Sequence, residues 1–425
     1  MMHQPTESAQ TSASNLVGDR PTETATSVAP SGDNKPANAK KSLKDIRLAW
    51  LNPDMKLSFY IQPVLRELFK IFPESVVYTG RWSGYVPGCE DTFKLELVGK
   101  DRSIRLRKTE GYSRILQLPS LGIVPRLWQQ KPHVVFVVGF SLWALLVLLL
   151  KPLCRWRVVI VYSGSSPNID MSDSKPRLWS RQFMAKLTDA FVTNSQGGKN
   201  YLVKDLHVSE DQVFARPYQI PDKRALLDPS EVTSVDLSDQ QQPVFLYIGQ
   251  TTHRKGLTYL LQACARLEAQ NCRDYSLVIV GDGPQRTEFE NWSREHGLEN
   301  RVKWMGWGSY GQLGAYYQQS SVFVFPTLED IWGMVVLEAM LFGKPILCSK
   351  DAGVAEMIAE GENGHVFDPQ EPEKLAALMQ RLIENPELIQ QMGATSLNII
   401  EQQDTPEISA QNFAKVITSV LNSRP

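Results

Sequence analysis

Residues 244–264, VFLYIGQTTHRKGLTYLLQAC, pass from five apolar residues through a polar loop ending in glycine to a second apolar pattern. Val244–Ile248 shows no alternation of polar and apolar residues, as expected of a strand covered on both faces of a parallel sheet. Beyond Gly256, the residues Leu257, Leu260, Leu261 and Cys264 recur at i, i+3, i+4 and i+7, one face of a helix. Five more apolar runs follow at 276–280, 302–305, 322–325, 346–348 and 365–367, with helical stretches between nearly all of them. The strand–loop–helix unit is thus repeated, which predicts an α/β domain with ligands at the carboxyl ends of its strands.

The same alternation is found N-terminal to this block. Ile46–Leu51 reads as a strand and Pro63–Phe72 as a helix with Val64, Leu65, Leu68 and Phe69 on one face. Val134–Val138, Val158–Tyr162, Ala190–Asn194 and Val213–Ala215 read as further strands, and Ser195 is placed to cap a helix running to about Leu206. The expected layout is a tail at 1–43 without structure, a Rossmann-like domain at 44–220, and a polar linker at 221–242. A second Rossmann-like domain is expected at 243–404, and a last helix at 405–425 has no strand after it and could pack back on the first domain. The cleft between the halves is the expected site.

With 425 residues, two domains are the natural division. A formal net charge of −1 argues against a nucleic-acid-binding protein, which normally carries a large basic excess. The five cysteines include no C-x-x-C pair, and the six histidines show no metal-ligand spacing, so neither a disulfide framework nor a metal site is indicated. A reducing, cytoplasmic compartment fits best. One stretch bears on membranes: Val134–Leu150, VVFVVGFSLWALLVLLL. It reads as a buried strand that turns at Gly139 and Ser141 into a buried helix ending before Lys151-Pro152; the competing reading is a membrane-facing helix. Arg102, Arg105, Arg107, Lys108, Lys151, Arg155 and Arg157 could meet anionic lipid in a peripheral contact, or form solvated faces.

The most specific segment is 326–340, PTLEDIWGMVVLEAM, a strand end, a loop with two acids and a helix opening near Gly333. A helix start at Gly333, Met334 and Val335 offers N–H groups to a diphosphate. Asp330 and Glu338 flank a Trp-Gly turn with seven residues between them, a pattern that resembles the donor signature of retaining glycosyltransferase family 4, the glycosyl transferases group 1, which have the GT-B fold. The resemblance implies that Glu338 accepts from ribose hydroxyls and Asp330 from sugar hydroxyls. The plainer readings make Asp330 a helix cap and Glu338 a solvated surface residue.

YIGQTTHRKG at 247–256 resembles the family's Gly-Arg-x-x-x-x-Lys-Gly phosphate clamp from Gly249 to Lys255, with Gln250 in place of the arginine and Arg254 as its candidate substitute. A cation here would meet charge growing on a leaving diphosphate. LVIVGDGP at 277–284, with Gly281 and Gly283, resembles the nucleotide wall, and Trp307 borders the expected base position as either a stacking or a core residue. On the acceptor side Ser163 and Ser141 sit at predicted strand ends, where turn roles compete, and Arg216-Pro217-Tyr218 lies near the hinge.

The function that the resemblance implies is transfer of a sugar from a nucleoside-diphosphate sugar, bound by the domain at 243–404, to an unidentified acceptor (saccharide, lipid or small molecule) bound by the domain at 44–220. The resemblance implies retention of configuration, no metal and no cofactor. Two other readings stand beside it: a nucleotide-sugar epimerase of the same fold, and a non-catalytic, membrane-associated binding protein.

Overall fold

The computed structural model describes residues 42–423 apart from 56–57, 87, 100–102, 108–113, 165, 171–173, 216–220 and 230–234. The expectation for the tail falls mostly on residues 1–41, outside that range, as does Arg216-Pro217-Tyr218. The basic stretch from Arg102 to Lys108 lies outside the residues whose side chains are described.

Two parallel sheets carry the chain. The first has seven strands in the spatial order Leu95–Leu97, Val76–Thr79, Leu48–Asn52, Val134–Val138, Arg157–Tyr162, Ala190–Thr193 and Val213–Ala215. The second has six, in the order Val302–Gly306, Ser276–Val280, Val244–Ile248, Val322–Phe325, Ile346–Ser349 and Gly364–Phe367. In both sheets the first strand in sequence lies beside the fourth, with the second and third on its other side, so the direction of winding reverses between strands one and four. That reversal opens a crevice at the carboxyl ends, where ligands bind in doubly wound sheets. An antiparallel hairpin, Ser103–Arg107 with Arg114–Gln117, stands apart from both sheets.

Each sheet separates two apolar cores because successive side chains point to opposite faces. Ala49 and Leu51 join one core of the first sheet, and Leu48 and Trp50 the other. In the second sheet Val244, Leu246 and Ile248 face one core, and Phe245 and Tyr247 the other. The helix Pro406–Asn422 lies on the first sheet: Phe413 packs edge-on against Trp50 and Phe136, and Arg157 Nη2 donates to the Ser423 carbonyl at 2.6 Å.

Several details differ from the sequence reading. The polar connection at 221–242 is partly sunk in the second core, with Leu226, Val235 and Leu237 buried. The helix expected to stop before Lys151-Pro152 runs Leu142–Cys154. Pro152 sits in its last turn, where the missing N–H removes one bond near an end already fraying. This helix is also not buried all round, since Leu149 and Leu153 are exposed. Among the described residues no helix is long and apolar enough to cross a membrane. The helix capped by Ser195 is regular only to Asn200 and then widens into a π-helical turn at Tyr201–Asp205.

Candidate active site

At the switch point of the second sheet, two loops face each other. The first follows Val244–Ile248 and turns through a 3-10 segment, His253–Lys255, into Gly256. The second follows Val322–Phe325 and carries Asp330. They are laced together: the Arg254 carbonyl accepts from Leu328 N at 2.8 Å, and Arg254 Nη1 donates to the Glu329 carbonyl at 2.7 Å. Gly256 lets the backbones close up, because a Cβ there would stand 1.8 Å from the Pro326 carbonyl oxygen and its φ is +71°.

Lys255 Nζ donates to Asp330 Oδ2, and the same ammonium lies 5.3 Å from the centre of the Phe325 ring. Arg254 Nη1 stands 3.9 Å from the same carboxylate oxygen, so two cations converge on one acid. Burial pushes the Lys255 ammonium below its ordinary range, Asp330 opposes that shift, and neighbouring Arg254 adds to it. Two cations and one acid are thus packed together in a part-buried site. Gln250 is exposed and contributes no charge.

Asp330 does not cap the helix. Its Oδ1 accepts from Trp332 N at 3.2 Å, two residues before Met334–Leu341 begins. Its own backbone is pinned on both sides, by Asp351 O to its N–H and by Gly353 N–H to its carbonyl, each at 3.1 Å. Gly333 occupies the N-cap with φ +112°, where a Cβ would meet Phe325 at 2.7 Å, and no side chain caps the helix. Met334 and Val335 are half-buried, and their N–H groups, four and five residues after Asp330, lie at the positive end of the helix dipole.

Glu338 is not a surface residue. It is buried, accepts from Tyr317 Oη at 3.0 Å, and is also bonded by Tyr310. Its partners are thus two tyrosines rather than the Lys255–Asp330 pair. Burial raises its carboxyl to about 7, against which the two phenols pull it down. The sequence reading missed both tyrosines; their spacing of seven, one helical face, was the available signal. A pH dependence follows. The unfolded chain ionises Glu338 near 4.5 and the folded one near 7, so stability is retained below pH 4.5 and declines as pH rises to about 7. Replacing Glu338 with Gln should flatten that decline, on the order of a few kcal/mol, in urea midpoints compared at pH 5 and pH 8; an unchanged slope would exclude Glu338 as its source.

Gly281 and Gly283 sit behind the first loop. A Cβ on Gly281 would be 1.9 Å from the Gly249 carbonyl oxygen, and one on Gly283 2.7 Å from that of Thr251. Their smallness therefore serves contact between loops. Trp307, which had two readings, is 76% exposed and so is not a core residue.

The first domain meets this site from across the cleft. A Cβ on Gly164 would lie 2.9 Å from Ile331 Cγ2, next to Asp330, and Gln196 N–H donates to Glu356 Oε2 at 3.2 Å. Asn194, at the end of Ala190–Thr193, is buried beside Gly164, and neither of its amide atoms has a hydrogen-bond partner among the described residues. Ser141 is accounted for locally, since its Oγ caps Leu142–Cys154 by accepting from Ala144 N at 3.3 Å. Ser163 precedes Gly164, half-buried at the same edge. No group of three or more His, Cys, Asp or Glu arranged to hold a metal occurs among the described residues.

Comparison with known proteins bears on this geometry. Residues 231–398 match the glycosyl transferases group 1 family. An alpha-D-kanosaminyltransferase of Streptomyces kanamyceticus is 26% identical over 219 residues, 51% of this chain and 56% of that protein. An uncharacterized glycosyltransferase of Haemophilus influenzae is 31% identical over 163 residues, 38% of this chain and 45% of that one. The chain spans about half the length of the curated relatives it matches. Among solved structures, Anabaena HepE in complex with UDP superposes with a TM-score of 0.70 at 18% identity, covering 88% of this chain and all of that one. Sucrose-phosphate synthase from Thermosynechococcus elongatus gives 0.69 at 17% identity, over 88% and 99%. The two facing Rossmann-like domains are the GT-B fold.

Proposed function

We propose that this chain is a glycosyltransferase that takes a sugar from a nucleoside-diphosphate sugar. The observation carrying the reading is the convergence of Lys255 and Arg254 on Asp330, beside the uncapped helix start at Gly333. Before a donor binds, Asp330 holds the charge of Lys255. An incoming diphosphate displaces that carboxylate from the ammonium and takes hydrogen bonds from the N–H groups of Met334 and Val335. Asp330 is then released to accept from the sugar hydroxyls, and Glu338 from the ribose.

Reaction breaks the bond between the anomeric carbon and the diphosphate oxygen and forms one to an acceptor hydroxyl oxygen. The acceptor proton passes to the departing diphosphate, on the same face of the sugar, so configuration is retained. Fixed cations and a helix dipole stabilise the leaving charge, with no metal in the scheme. The polar Asn194, with Ser163, supplies the acceptor wall. UDP and UDP-glucose, found with HepE, make uridine diphosphate sugars the first donors to try.

The test is thermal melting with a panel of nucleoside diphosphates and their sugars, followed by product analysis with and without candidate acceptors. Ligand at about a hundredfold over Kd stabilises by about 2.7 kcal/mol, a shift of several degrees. No shift with any diphosphate overturns the reading, and conversion of the free sugar nucleotide without acceptor would identify an epimerase.

A further inference from the structure

We infer that the outer flank of the first domain is a docking surface for an anionic lipid bilayer, formed by the helices Leu142–Cys154 and Lys175–Leu187 and a basic pocket at the carboxyl ends of Leu142–Cys154 and Ile123–Gln130. On Lys175–Leu187 the residues Lys175, Trp179, Phe183 and Lys186 make one exposed stripe, two aromatics between two cations. Trp179 is 72% exposed and its ring stacks on Phe183 with centroids 6.5 Å apart. The thirteen residues KPRLWSRQFMAKL contain four cations and no acid. The inward face of this helix is rigidly mounted: Arg181 is buried, donates to Tyr201 Oη at 2.8 Å, and packs over the Phe140 ring.

The neighbouring helix supplies leucine. Leu149 and Leu153, one turn apart, are exposed, and Lys151 Nζ ties the two helix ends together by donating to the Leu187 carbonyl at 2.8 Å. Leu153 leads into a cavity of about 410 Å³ whose walls include Trp128, Arg47, Lys131, Arg155 and Arg157. Of the described residues lining it, none is acidic. Arg157 is bonded to Asp189 at 3.1 Å, which leaves Lys131 and Arg155, at left-handed helix ends, to face an anion.

Exposed aromatics and leucines beside Lys175, Lys186, Lys131 and Arg155 match the interfacial zone of a bilayer, where rings sit among head groups and Lys or Arg attract anionic lipid. The charge is what selects lipid over a second apolar surface: burying these cations against a copy of the same face would set like charges together. A helix of thirteen residues spans roughly 20 Å, short of the roughly 30 Å hydrocarbon layer, so it lies on the membrane instead of crossing it. Of the basic residues singled out in the sequence, this surface keeps Lys151, Arg155 and Arg157 and adds Trp128, Lys131 and the helix Lys175–Leu187. It does not depend on the donor site.

Sedimentation of the full chain with vesicles tests this directly, using phosphatidylcholine alone and phosphatidylcholine mixed with phosphatidylglycerol. Wild type should pellet with the anionic vesicles and stay in solution with the neutral ones. A Trp179→Ser/Phe183→Ser variant should lose about tenfold or more in partitioning. A Lys131→Gln/Arg155→Gln variant should lose about twenty-five-fold, from two surface charges at about fivefold each. Both variants should keep the melting temperature and the nucleotide-induced shift of the wild type, which separates a lost surface from a lost fold. Failure to bind anionic vesicles, or binding indifferent to both lipid charge and these substitutions, overturns the proposal. So does self-association of the wild type that the Trp179→Ser/Phe183→Ser variant abolishes, since that would make the flank a protein interface.

Discussion

Turnover of a Lys255→Ala variant is expected to fall by about 10²- to 10³-fold, the loss typical when one fixed charge-stabilising donor is removed from a developing anion. The reasoning starts from what the ammonium does without ligand: it is part-buried against Phe325 and balanced by Asp330. A lysine that served only to neutralise Asp330 would matter for stability and little for rate. A lysine that meets the leaving diphosphate matters most when the charge is greatest, so kcat should fall more than KM rises. Comparing Lys255→Ala with Asp330→Asn under steady-state conditions, both checked by thermal melting, distinguishes these cases. Activity within a few-fold of wild type for a folded Lys255→Ala protein would remove the lysine from the chemistry.

A Gly256→Val substitution should destabilise the second domain by more than about 3 kcal/mol, the range reserved for strain at a special backbone position combined with overpacking. Two independent faults add at this residue. Its φ of +71° is one that a β-branched side chain adopts only at a cost, and the new Cβ would be driven to 1.8 Å from the Pro326 carbonyl oxygen. Neither loop can retreat, because Leu328 N–H and Thr327 Oγ1 both bond to the Arg254 carbonyl. Relief of the overlap must part the two loops and with them Lys255 and Asp330. The variant should therefore melt at least several degrees lower and lose the nucleotide-induced shift. A melting curve unchanged from wild type would show that the loops are looser than their hydrogen bonds indicate. Gly361, where a Cβ meets nothing within 4 Å, is the control: its φ of +77° carries the strain without the overlap, so Gly361→Ala should cost only about 1–2 kcal/mol.

Much of the architecture was written in residue order alone. Strands buried on both faces are apolar nearly throughout, so Val134–Val138, Val244–Ile248 and the stretch Leu277–Val280 stand out as runs. Edge strands have no such requirement. Leu95–Leu97, at an edge, is half exposed and left no readable pattern, whereas Val76–Thr79 is an interior, buried strand whose apolar VVYT run was the signal passed over. The loop chemistry was equally local: glycine after a strand, a cation before a helix, an acid in the loop before Gly333.

What the sequence by itself determined is which residues can form strand, turn and helix, and which carry charge at a strand's carboxyl end; those depend on near neighbours. Tertiary structure alone decided who meets whom. Lys255 and Asp330 are 75 residues apart and become partners only because the first and fourth strands of the second sheet lie side by side. Glu338 looks like any helical acid until Tyr310 and Tyr317 close over it. The leucines after Ser141 read alike in the chain, yet Val147 and Leu148 are buried while Leu149 and Leu153 are left uncovered. Burial is a property of what packs opposite, and no periodicity encodes a partner that arrives from a distant part of the chain.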